Sequence, residues 1–550
     1  MTGSFTREAV AVKWRSATVL LGGLAVIACL AARGLAADAT AVGPQAAAAA
    51  PLPQPPFEQA APATPASRID ELVLASLQAH GIRPANPCSD AVFFRRVHLD
   101  LLGVLPDPSA LDRFLQDRDP GKRAALIDAL LQRAEFADYQ SLKWCDLLRV
   151  KAEFPINLWP AAVQAYHQWV RDAIYENQPY DQFVRALLTS SGSNFRVPPV
   201  NFYRAVQGRK PGAIADAVAL TFMGVRTAGW PEKRRAGMAA FFSRIAYKPT
   251  AEWKEEIVCL DPTPAGPLQA RYPDGGSVRI LPRQDPRRVF ADWLIRPDNP
   301  WFARNAVNRV WAWLMGRGII HEPDDIRPDN PPANPELLAY LEKELVDSHY
   351  DLRHVYRLIL NSRTYQQSSI LQGEGADADA LFARYIPRRL DAEVLSDAIY
   401  WFSGWGDAYT SPIPEPFTFI PLRHHTTELA DGSTSSRFLD LFGRPARDTG
   451  LESERNDAPT AAQQRYLLNS TDVQNRVARN WRAQGLAEAN GDARPGLIRW
   501  LYMTMLTREP TPSETAAVAA YLDTPGKDKR QAAEDVIWAL FNSKEFLYRH

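Results

Sequence analysis

Residues 298–338, "DNPWFARNAVNRVWAWLMGRGIIHEPDDIRPDNPPANPELL", have the pattern of two helices joined by a long loop. Apolar residues recur at helical spacing from Ala303 to Leu314 and predict the buried face of a helix. Further on, Asn334 precedes Pro335, the usual arrangement of a capping side chain and a proline in the first helical turn. The stretch therefore predicts helix, proline-rich loop and helix.

The first of these helices, which we expect to begin near Asn299, also has a polar face. Its members are spaced to form pairs four residues apart. They are Arg304, Asn305, Asn308 and Arg309. The sequence therefore predicts a helix with one apolar and one polar face.

Two adjacent carboxylates, Asp324 and Asp325, follow in the loop and leave two interpretations open. In the structural one, they pair with Arg309 and Arg327 and hold the loop against the helix. In the functional one, they act with the preceding His-Glu dipeptide, either binding a hard cation such as Ca²⁺ or serving as acid and base in glycoside cleavage. The sequence favours the structural interpretation, because neighbouring side chains rarely point the same way.

The rest of the chain has the same helical character. Thr511 and Glu514 have capping-box spacing, in which each side chain bonds the backbone N–H of the other residue. The convincing β element is residues 268–281, where Asp-Gly-Gly can turn a short hairpin. The predicted fold class is mainly α, with two helical domains and a small β-hairpin insertion between them.

The domain organisation follows from shifts in composition along the chain. We predict a signal peptide at 1–37, an Ala/Pro-rich linker at 38–66, a helical domain at 67–250, a β-hairpin insertion at 251–284 and a second helical domain at 285–550. Ordered structure is expected from Ser67, a plausible helix cap.

The N-terminus predicts export. Lys13 and Arg15 precede an apolar run at 17–32 that is short for a membrane span but suits a signal-peptide core. Two outcomes are open: cleavage before Asp38, or lipidation at Cys29, whose preceding residues loosely resemble a bacterial lipobox. The predicted location is the periplasm or cell envelope, with membrane attachment only if Cys29 is lipidated.

Composition excludes several classes of protein. Lys plus Arg and Asp plus Glu both number 63, so no broad basic face is available for nucleic acid. Beyond the signal peptide only Cys88, Cys145 and Cys259 remain, without any C-x-x-C, so neither a thiolate zinc site nor a thioredoxin-type pair is available, and at most one disulfide can form. The disulfide state of these cysteines stays open.

Other potential sites have simpler explanations. His424 and His425 with Glu428 have metal-binding spacing, but no further ligand lies nearby, so we expect a solvated loop. His98 has apolar neighbours and predicts a packed core histidine. The 15 Trp residues lie mostly in amphipathic helices, so packing is favoured over a sugar-stacking platform. G-x-S-x-G, Walker A and G-x-G-x-x-G motifs are absent, and we predict no catalytic residue, cofactor or metal.

Several long stretches resemble a known family. "FFRRVHLDLLGVLPDPSALDRFLQD" and "NQPYDQFVRALL" resemble the planctomycete cytochrome-C-like domain, domain of unknown function (DUF) 1549. "NPWFARNAVNRVWAWLMGRGIIHEPDDIRPDNPPANPELLAYL", "DLRHVYRLILNSRTYQQSS", "FGRPARD" and "ALFNSKEFLYRH" resemble its usual partner, DUF 1553. The resemblance implies an exported bacterial protein, helical throughout, with no established biochemical activity.

The chain departs from this family at two places. After "FMGVR" such proteins usually continue into C-A-x-C-H-x-H-P-F, which resembles a c-type haem attachment motif, whereas here a loop from Thr227 to Ala240 lacks Cys and His. Where the family commonly has C-E-C-E-R, residues 451–455 are Leu-Glu-Ser-Glu-Arg. Our hypothesis is that both Cys segments form one metal, haem or redox site in typical members and that this chain has lost it. The hypothesis requires residues 227–235 to lie near 451–455.

We predict an exported envelope protein that binds or scaffolds, with an envelope protein or a polysaccharide as its partner. The alternative is a hydrolase acting on an envelope or algal polysaccharide, so whether the protein is an enzyme stays open. Two carboxylates in a cleft would favour hydrolysis, and burial against arginines would favour scaffolding. The candidate polar cluster is Asn308, Arg309, Asp324, Asp325, Glu454 and Arg455.

Overall fold

The computed structural model describes residues 56–59, 64–264, 266–373, 375–404, 406–411, 413, 419–421, 424–478, 485, 488 and 493–550. The predicted signal peptide, Cys29 and most of the predicted linker lie outside these residues. Within the described residues, no helix combines the length and the apolar character that crossing a membrane requires.

Helices dominate the chain up to residue 239, as the spacing of apolar residues predicts. They are α1 (Arg68–Ala79), α2 (Asp90–Leu101), α3 (Pro108–Gln116), α4 (Lys122–Leu131), α5 (Ala134–Leu147), α6 (Pro160–Tyr175), α7 (Tyr180–Thr189), α8 (Asn201–Arg204), α9 (Pro211–Met223) and α10 (Glu232–Ala239). The Ser67 side chain caps α1 by accepting from the Asp70 N–H, as expected for this residue type.

The second half is also mainly helical. Its helices are α11 (Pro286–Leu294), α12 (Phe302–Met315), α13 (Pro335–Asp347), α14 (Leu352–Asn361), α15 (Ala392–Ser403), α16 (Arg437–Leu441), α17 (Ala461–Asn469), α18 (Thr471–Ala478), α19 (Ala493–Met505), α20 (Pro512–Leu522), α21 (Lys529–Phe541) and α22 (Lys544–Leu547). The predicted capping box of Thr511 and Glu514 begins α20, and Asn334 caps α13. The mainly α fold class is confirmed.

Helix α12 differs from its prediction in two respects. It begins at Phe302 rather than near Asn299, because the Asn299 side chain accepts the N–H groups of Trp301 and Phe302 at 3.1 and 3.2 Å and holds a turn before the helix. Most of its polar face is also buried: Asn305, Asn308 and Arg309 are each 0% exposed, whereas Arg304 is partly exposed and pairs with Glu342. The helix therefore lies in the interior of the protein, with polar partners on one side.

Seven short strands form three small sheets in the described chain. They are β1 (Gly192–Ser193), β2 (Ile245–Pro249), β3 (Glu256–Leu260), β4 (Leu268–Arg271), β5 (Ser277–Ile280), β6 (Arg388–Arg389) and β7 (Tyr548–Arg549). Strands β4 and β5 are the predicted hairpin, which turns through Gly275 at φ +102°. The antiparallel sheet β1-β3-β2 was not predicted, because its longest strands have five residues and little alternation.

The apolar core extends across the predicted domain boundary. One buried cluster contains residues from Ile69 to Tyr385 together with Ala430 and Met503, and a second contains residues from Leu390 to Phe546 together with Leu99, Leu105, Tyr139 and Leu142. Helices on both sides of residue 285 therefore share the first cluster, and residues 54–550 form one compact unit. The predicted domain bounds stay a prediction, but burial of apolar surface does not separate the chain at that position.

Part of the predicted linker is docked on the folded unit. The Phe57 ring meets the His550 ring edge-on, with centroids 5.9 Å apart, and the Ser368 hydroxyl donates to Glu58 at 3.0 Å. Our expectation that ordered structure starts at Ser67 is therefore wrong for these residues. An aromatic ring in an otherwise small-residue segment gains free energy by being buried.

The three cysteines of the described chain are free. Cys88 and Cys145 are fully buried, where they pack as small apolar side chains. Cys259 is half-buried in β3. The structure therefore joins none of the three in a disulfide.

Candidate functional site

A cavity of about 450 Å³ lies between α5, the C-terminal end of α12, the loop after it and residues 451–457. Its lining is highly charged. The lining cations are Lys143, Arg317, Arg388, Arg455 and Arg549, and the lining carboxylates are Asp146, Glu322, Asp391, Glu452 and Asp457.

Helix α5 supplies one wall of the cavity. Tyr139, Lys143 and Asp146 are spaced four and three residues apart, which places them on one face of the helix. All three are buried. The indole of Trp313, from α12, lies near Lys143, with the lysine Nζ 5.5 Å from the ring centroid.

Arg388 and Arg549 reach the cavity from neighbouring strands. They are direct partners in the β6–β7 pair, so their side chains lie side by side. The fully buried Asp100 accepts from Arg388 Nη2 at 3.0 Å and from Arg549 Nη1 at 3.2 Å. Arg549 Nη2 also donates to Asp391 at 2.6 Å. These bonds hold both guanidinium groups in place.

Burial alone would raise the pKa of the Asp391 carboxyl group, but the surrounding cations, Arg549 first, hold it well below its ordinary value. Asp391 is therefore an anion throughout the physiological pH range. Its charge is balanced mainly by the guanidinium of Arg549.

Arg455 anchors the segment that replaces the family's C-E-C-E-R. Its guanidinium donates to Asp146 at 2.7 Å and to Glu393 at 2.7 Å, while Arg447 Nε donates to the other oxygen of Asp146 at 2.8 Å. Burial opposes the charged form, but the two carboxylates raise the pKa of Arg455 well above its ordinary value. Two arginines and two carboxylates therefore form a closed ionic network on this wall.

Lys143 is different from these paired groups. Its side chain is 7% exposed, its Nζ lies 4.7 Å from the Tyr139 ring centroid, and among the described residues it donates no hydrogen bond and has no carboxylate oxygen within 4.0 Å. Burial lowers the pKa of the Lys143 amine to about 7, because a desolvated amine disfavours its charged form. At pH 7, the Lys143 amine is therefore neutral in about half of the protein molecules.

Arg317 is a second lining cation without a carboxylate within 4.0 Å in the described part of the chain, and its Nε is buried without a partner. Among the lining carboxylates, that of Asp457 has no cation within 4.0 Å in the described residues. Two unpaired cations therefore face one unpaired carboxylate, and the cavity is suited to an anion.

The predicted pairing of Asp324 with Arg309 is present. Arg309 Nη2 lies 2.5 Å from Asp324 Oδ1, and both side chains are 0% exposed. The Glu452 N–H donates to the second Asp324 oxygen at 2.6 Å, and Arg309 Nη1 lies 3.3 Å from the Glu452 carboxylate. This buried ion pair supports the cavity from behind rather than lining it.

The other predicted cluster members have structural contacts. Asn308 bonds both backbone groups of Ile320 at 2.9 Å and pins the loop. Asp325 pairs with Arg327 at 3.0 Å near the surface. Glu454 accepts the N–H of Thr449 at 2.7 Å. Of the six predicted residues, Arg455 lines the cavity.

Sequence reasoning missed Lys143, Asp146, Arg388, Asp391, Glu452 and Arg549. A signal was present in α5, "AEFADYQSLKWCDL", where charged residues interrupt a helix that is buried from Phe136 to Leu147. Charged residues are almost never fully buried without a partner, so such a helix indicates a polar site. The arginines gave no comparable signal, because their meeting depends on strands far apart in the sequence.

Residues 227–235 and 451–455, the two segments of the predicted joint Cys site, contact different parts of the protein. Thr227 and Arg235 both bond Asp216, whereas Leu451 and Ser453 line the cavity. No hydrogen bond or ion pair between residues 227–235 and 451–455 occurs in the described structure. Residues 227–231 therefore belong to the connection between α9 and α10, residues 232–235 form the first turn of α10, and the joint site in typical members stays a hypothesis.

The remaining predicted sites contain no metal cluster. His424 Nδ1 lies 3.4 Å from Glu428, and the described residues include no group of three His, Cys, Asp or Glu that could hold an ion. His98 is buried with Nδ1 2.7 Å from the Phe94 carbonyl, and burial lowers its pKa to about 4. It is the packed core histidine that we predicted.

Gly224 connects α9 to the loop that carries Asp324. Its carbonyl accepts from the Ile326 N–H at 2.8 Å, its φ is +64°, and an added Cβ would lie 2.6 Å from the Asn305 side chain and 2.8 Å from the Pro323 carbonyl. We expect Gly224→Ala to lower the free energy of unfolding, measured by urea titration, by roughly 2–4 kcal/mol, because left-handed strain and a clash add.

Gly208→Ala is the matched control for this prediction. Gly208 has φ +74° and open space around an added Cβ, so this variant is expected to lose only about 1 kcal/mol from backbone strain. Equal losses in the two variants would mean that the close approach at Gly224 contributes nothing.

The fold and the cavity define a class: a mainly α-helical protein with a charged cavity. Residues 68–227 match the family model PSCyt2, a protein of unknown function (DUF1549), and residues 286–522 match PSD1, a protein of unknown function (DUF1553). The chain belongs to the family in which these two domains follow each other in this order. No curated protein and no solved structure matches it.

Proposed function

We propose that this protein is an exported cell-envelope binding protein whose cavity holds a small anionic ligand. The observation that carries the proposal is that Lys143, which lines the cavity, has no hydrogen-bond or carboxylate partner among the described residues. Burying an amine without a partner costs free energy, and a bound anion would supply the missing partner. Arg317, which forms no ion pair within the described part of the chain, adds a second positive charge for the same ligand.

We further propose an acidic sugar unit of an envelope or algal polysaccharide as the ligand. A cavity of about 450 Å³ is within the usual range of small-molecule sites. The Trp313 ring offers an apolar face, and the lysine and arginine offer partners for a carboxylate or sulfate group. The predicted export brings the protein into the compartment where such sugars are found.

A hydrolase is the second candidate, and Glu452 is the residue that favours it. This carboxylate lines the cavity, and burial raises its pKa despite the nearby Arg309. A raised pKa suits a general acid. Asp324, which we had considered for this role, is enclosed with Arg309 and has no access to a substrate.

A thermal-shift titration of the exported chain with sulfate, glucuronate and sulfated or uronate oligosaccharides tests the binding proposal. At 100 times its Kd, a ligand should add about 2.7 kcal/mol to the stability. Neutral glucose serves as the ligand control, and Lys343→Met, which alters an exposed lysine, serves as the protein control. The proposal fails if no acidic compound shifts the melting temperature, or if Lys143→Met responds as strongly as the unaltered protein.

Anion binding should weaken as the pH rises. The pKa of Lys143 is about 7, so the amine is mostly protonated at pH 6 and mostly neutral at pH 8, and a neutral amine attracts an anion less. We expect the Kd to increase several-fold over this interval, measured by calorimetry with glucuronate. Lys143→Met should lack this trend, and an identical trend in that variant would assign the pH dependence to another group.

A further inference from the structure

We propose that Lys143 also reacts covalently, capturing the carbonyl group of an anionic ligand as a Schiff base. The ligand class is then a carbonyl compound with an adjacent acidic group, such as a 2-oxo acid or an open-chain sugar acid. The inference rests on the proposed function, because the same cavity must first bind the anion.

The first support is the state of the amine. A lysine reacts with carbonyl compounds only as the neutral amine, and burial or neighbouring cations favour that form. Lys143 has both: it is 7% exposed, and burial, supported by the charges of Arg549 and Arg388, lowers its pKa to about 7 although the carboxylates of Asp391 and Asp100 oppose the shift.

The second support is that the amine has no hydrogen-bond or carboxylate partner among the described residues. Lysines that are buried for stability are paired with carboxylates or backbone carbonyls. Nζ of Lys143 has no such partner among the described residues, and its described neighbours include the rings of Tyr139 and Trp313, at 4.7 and 5.5 Å. The amine lines a cavity that can admit a small molecule.

The third support is a place for the acidic group. Arg317 lines the same cavity and forms no ion pair with a described residue, so its guanidinium is available to a carboxylate. In a 2-oxo acid, the carbonyl carbon is bonded directly to the carboxylate. Binding of the acid to the cavity cations would therefore hold the carbonyl group near the amine, which is the positional contribution that such a reaction needs.

The reaction balances without a further reagent. The lone pair of the neutral Nζ forms a bond to the carbonyl carbon, and the carbonyl oxygen takes a proton from the nitrogen to give a carbinolamine. The C–O bond then breaks, the oxygen leaves as water with the second amine proton, and a C=N bond remains. No electron is gained or lost overall.

The test uses pyruvate and pyridoxal 5′-phosphate, each with sodium cyanoborohydride, on the full exported chain at pH 7. Cyanoborohydride reduces an imine to a stable amine, so pyruvate leaves a 1-carboxyethyl group on Nζ. Peptide mass mapping locates the label. We expect Lys143 to be labelled at least ~10-fold faster than the exposed Lys343, because far more of its amine is neutral at this pH.

Three controls decide the result. Lactate, an anion without a carbonyl group, should slow labelling of Lys143 and leave labelling of Lys343 unchanged. Lys143→Arg keeps the charge and should lose the fast label, and Lys143→Met serves the same purpose if the arginine variant does not fold. Labelling should become faster from pH 6 to pH 8, as the neutral amine increases.

The inference is overturned if neither probe labels Lys143 faster than Lys343, or if lactate gives no protection. Anion-induced thermal shifts that persist without labelling would leave the binding proposal standing and remove the covalent step. The absence of both labelling and thermal shifts would remove both.

Discussion

Asp324→Ala is expected to lower the free energy of unfolding by roughly 3–5 kcal/mol, because it leaves the Arg309 charge buried without its main partner. Both side chains are 0% exposed and their closest atoms are 2.5 Å apart. The substitution also removes the acceptor of the Glu452 N–H. Urea unfolding followed by circular dichroism measures the loss.

Asp325→Ala is a matched control, since it removes the neighbouring carboxylate. Asp325 pairs with Arg327, whose side chain is 53% exposed, and a pair in contact with water contributes only about 0–1 kcal/mol. The double variant Asp324→Leu with Arg309→Met should recover much of the stability, because it removes both charges. A loss below about 1 kcal/mol for Asp324→Ala would contradict the structural role of this ion pair.

Lys143→Met is expected to have the opposite effect on stability and to abolish ligand binding. The amine has an ordinary pKa of 10.5 and a pKa of about 7 in the folded protein. Near pH 7 the unfolded chain therefore holds a proton more firmly than the folded one, which destabilises the fold. Removing the amine should raise the free energy of unfolding by roughly 2–5 kcal/mol.

The Lys143 amine should also make the free energy of unfolding depend on pH. The cost of burying the Lys143 amine is absent above pH 10.5 and reaches its full size below about pH 7, so this group makes the unaltered protein more stable as the pH rises between these values. Urea titrations at pH 7, 8 and 9 should show this rise, and Lys143→Met should lack it.

An outcome in which Lys143→Met is less stable and keeps the pH slope would make Lys143 a packing residue. If Lys143→Met is more stable and no longer binds anions, Lys143 lowers the stability of the unaltered protein but is needed for binding, a trade-off that is common at functional sites. Lys343→Met, at an exposed position, should change neither quantity.

Local signals in the sequence were sufficient for the fold class and for several elements. The caps at Ser67 and Thr511 and the turn at Gly275 each depend on residues within a few positions of one another. The pairing of Asp324 with Arg309 was also within reach, because the two residues are only 15 positions apart in the sequence. Such features are set by backbone geometry and short-range bonds, which the order of residue types specifies directly.

The start of α12 and the docking of Phe57 show the limit of these local signals. We expected α12 to begin near Asn299, but the Asn299 side chain bonds two backbone N–H groups and the helix begins at Phe302. Phe57 lies in a segment whose composition predicts a linker, yet its ring packs against His550 at the far end of the chain. In both cases a contact outweighed the average preference of the segment.

What the sequence by itself determined was the helical class, the hairpin, the caps and the ion pair behind the cavity. What the tertiary structure decided was the cavity. Arg388 and Arg549 become neighbours only through the pairing of β6 with β7. The fold places the Lys143 amine near the Tyr139 and Trp313 rings, without a hydrogen-bond or carboxylate partner among the described residues, while the nearby Asp100 and Asp391 are paired with Arg388 and Arg549. The charge state of a side chain depends on its solvation and on all nearby charges, and distant segments supply both.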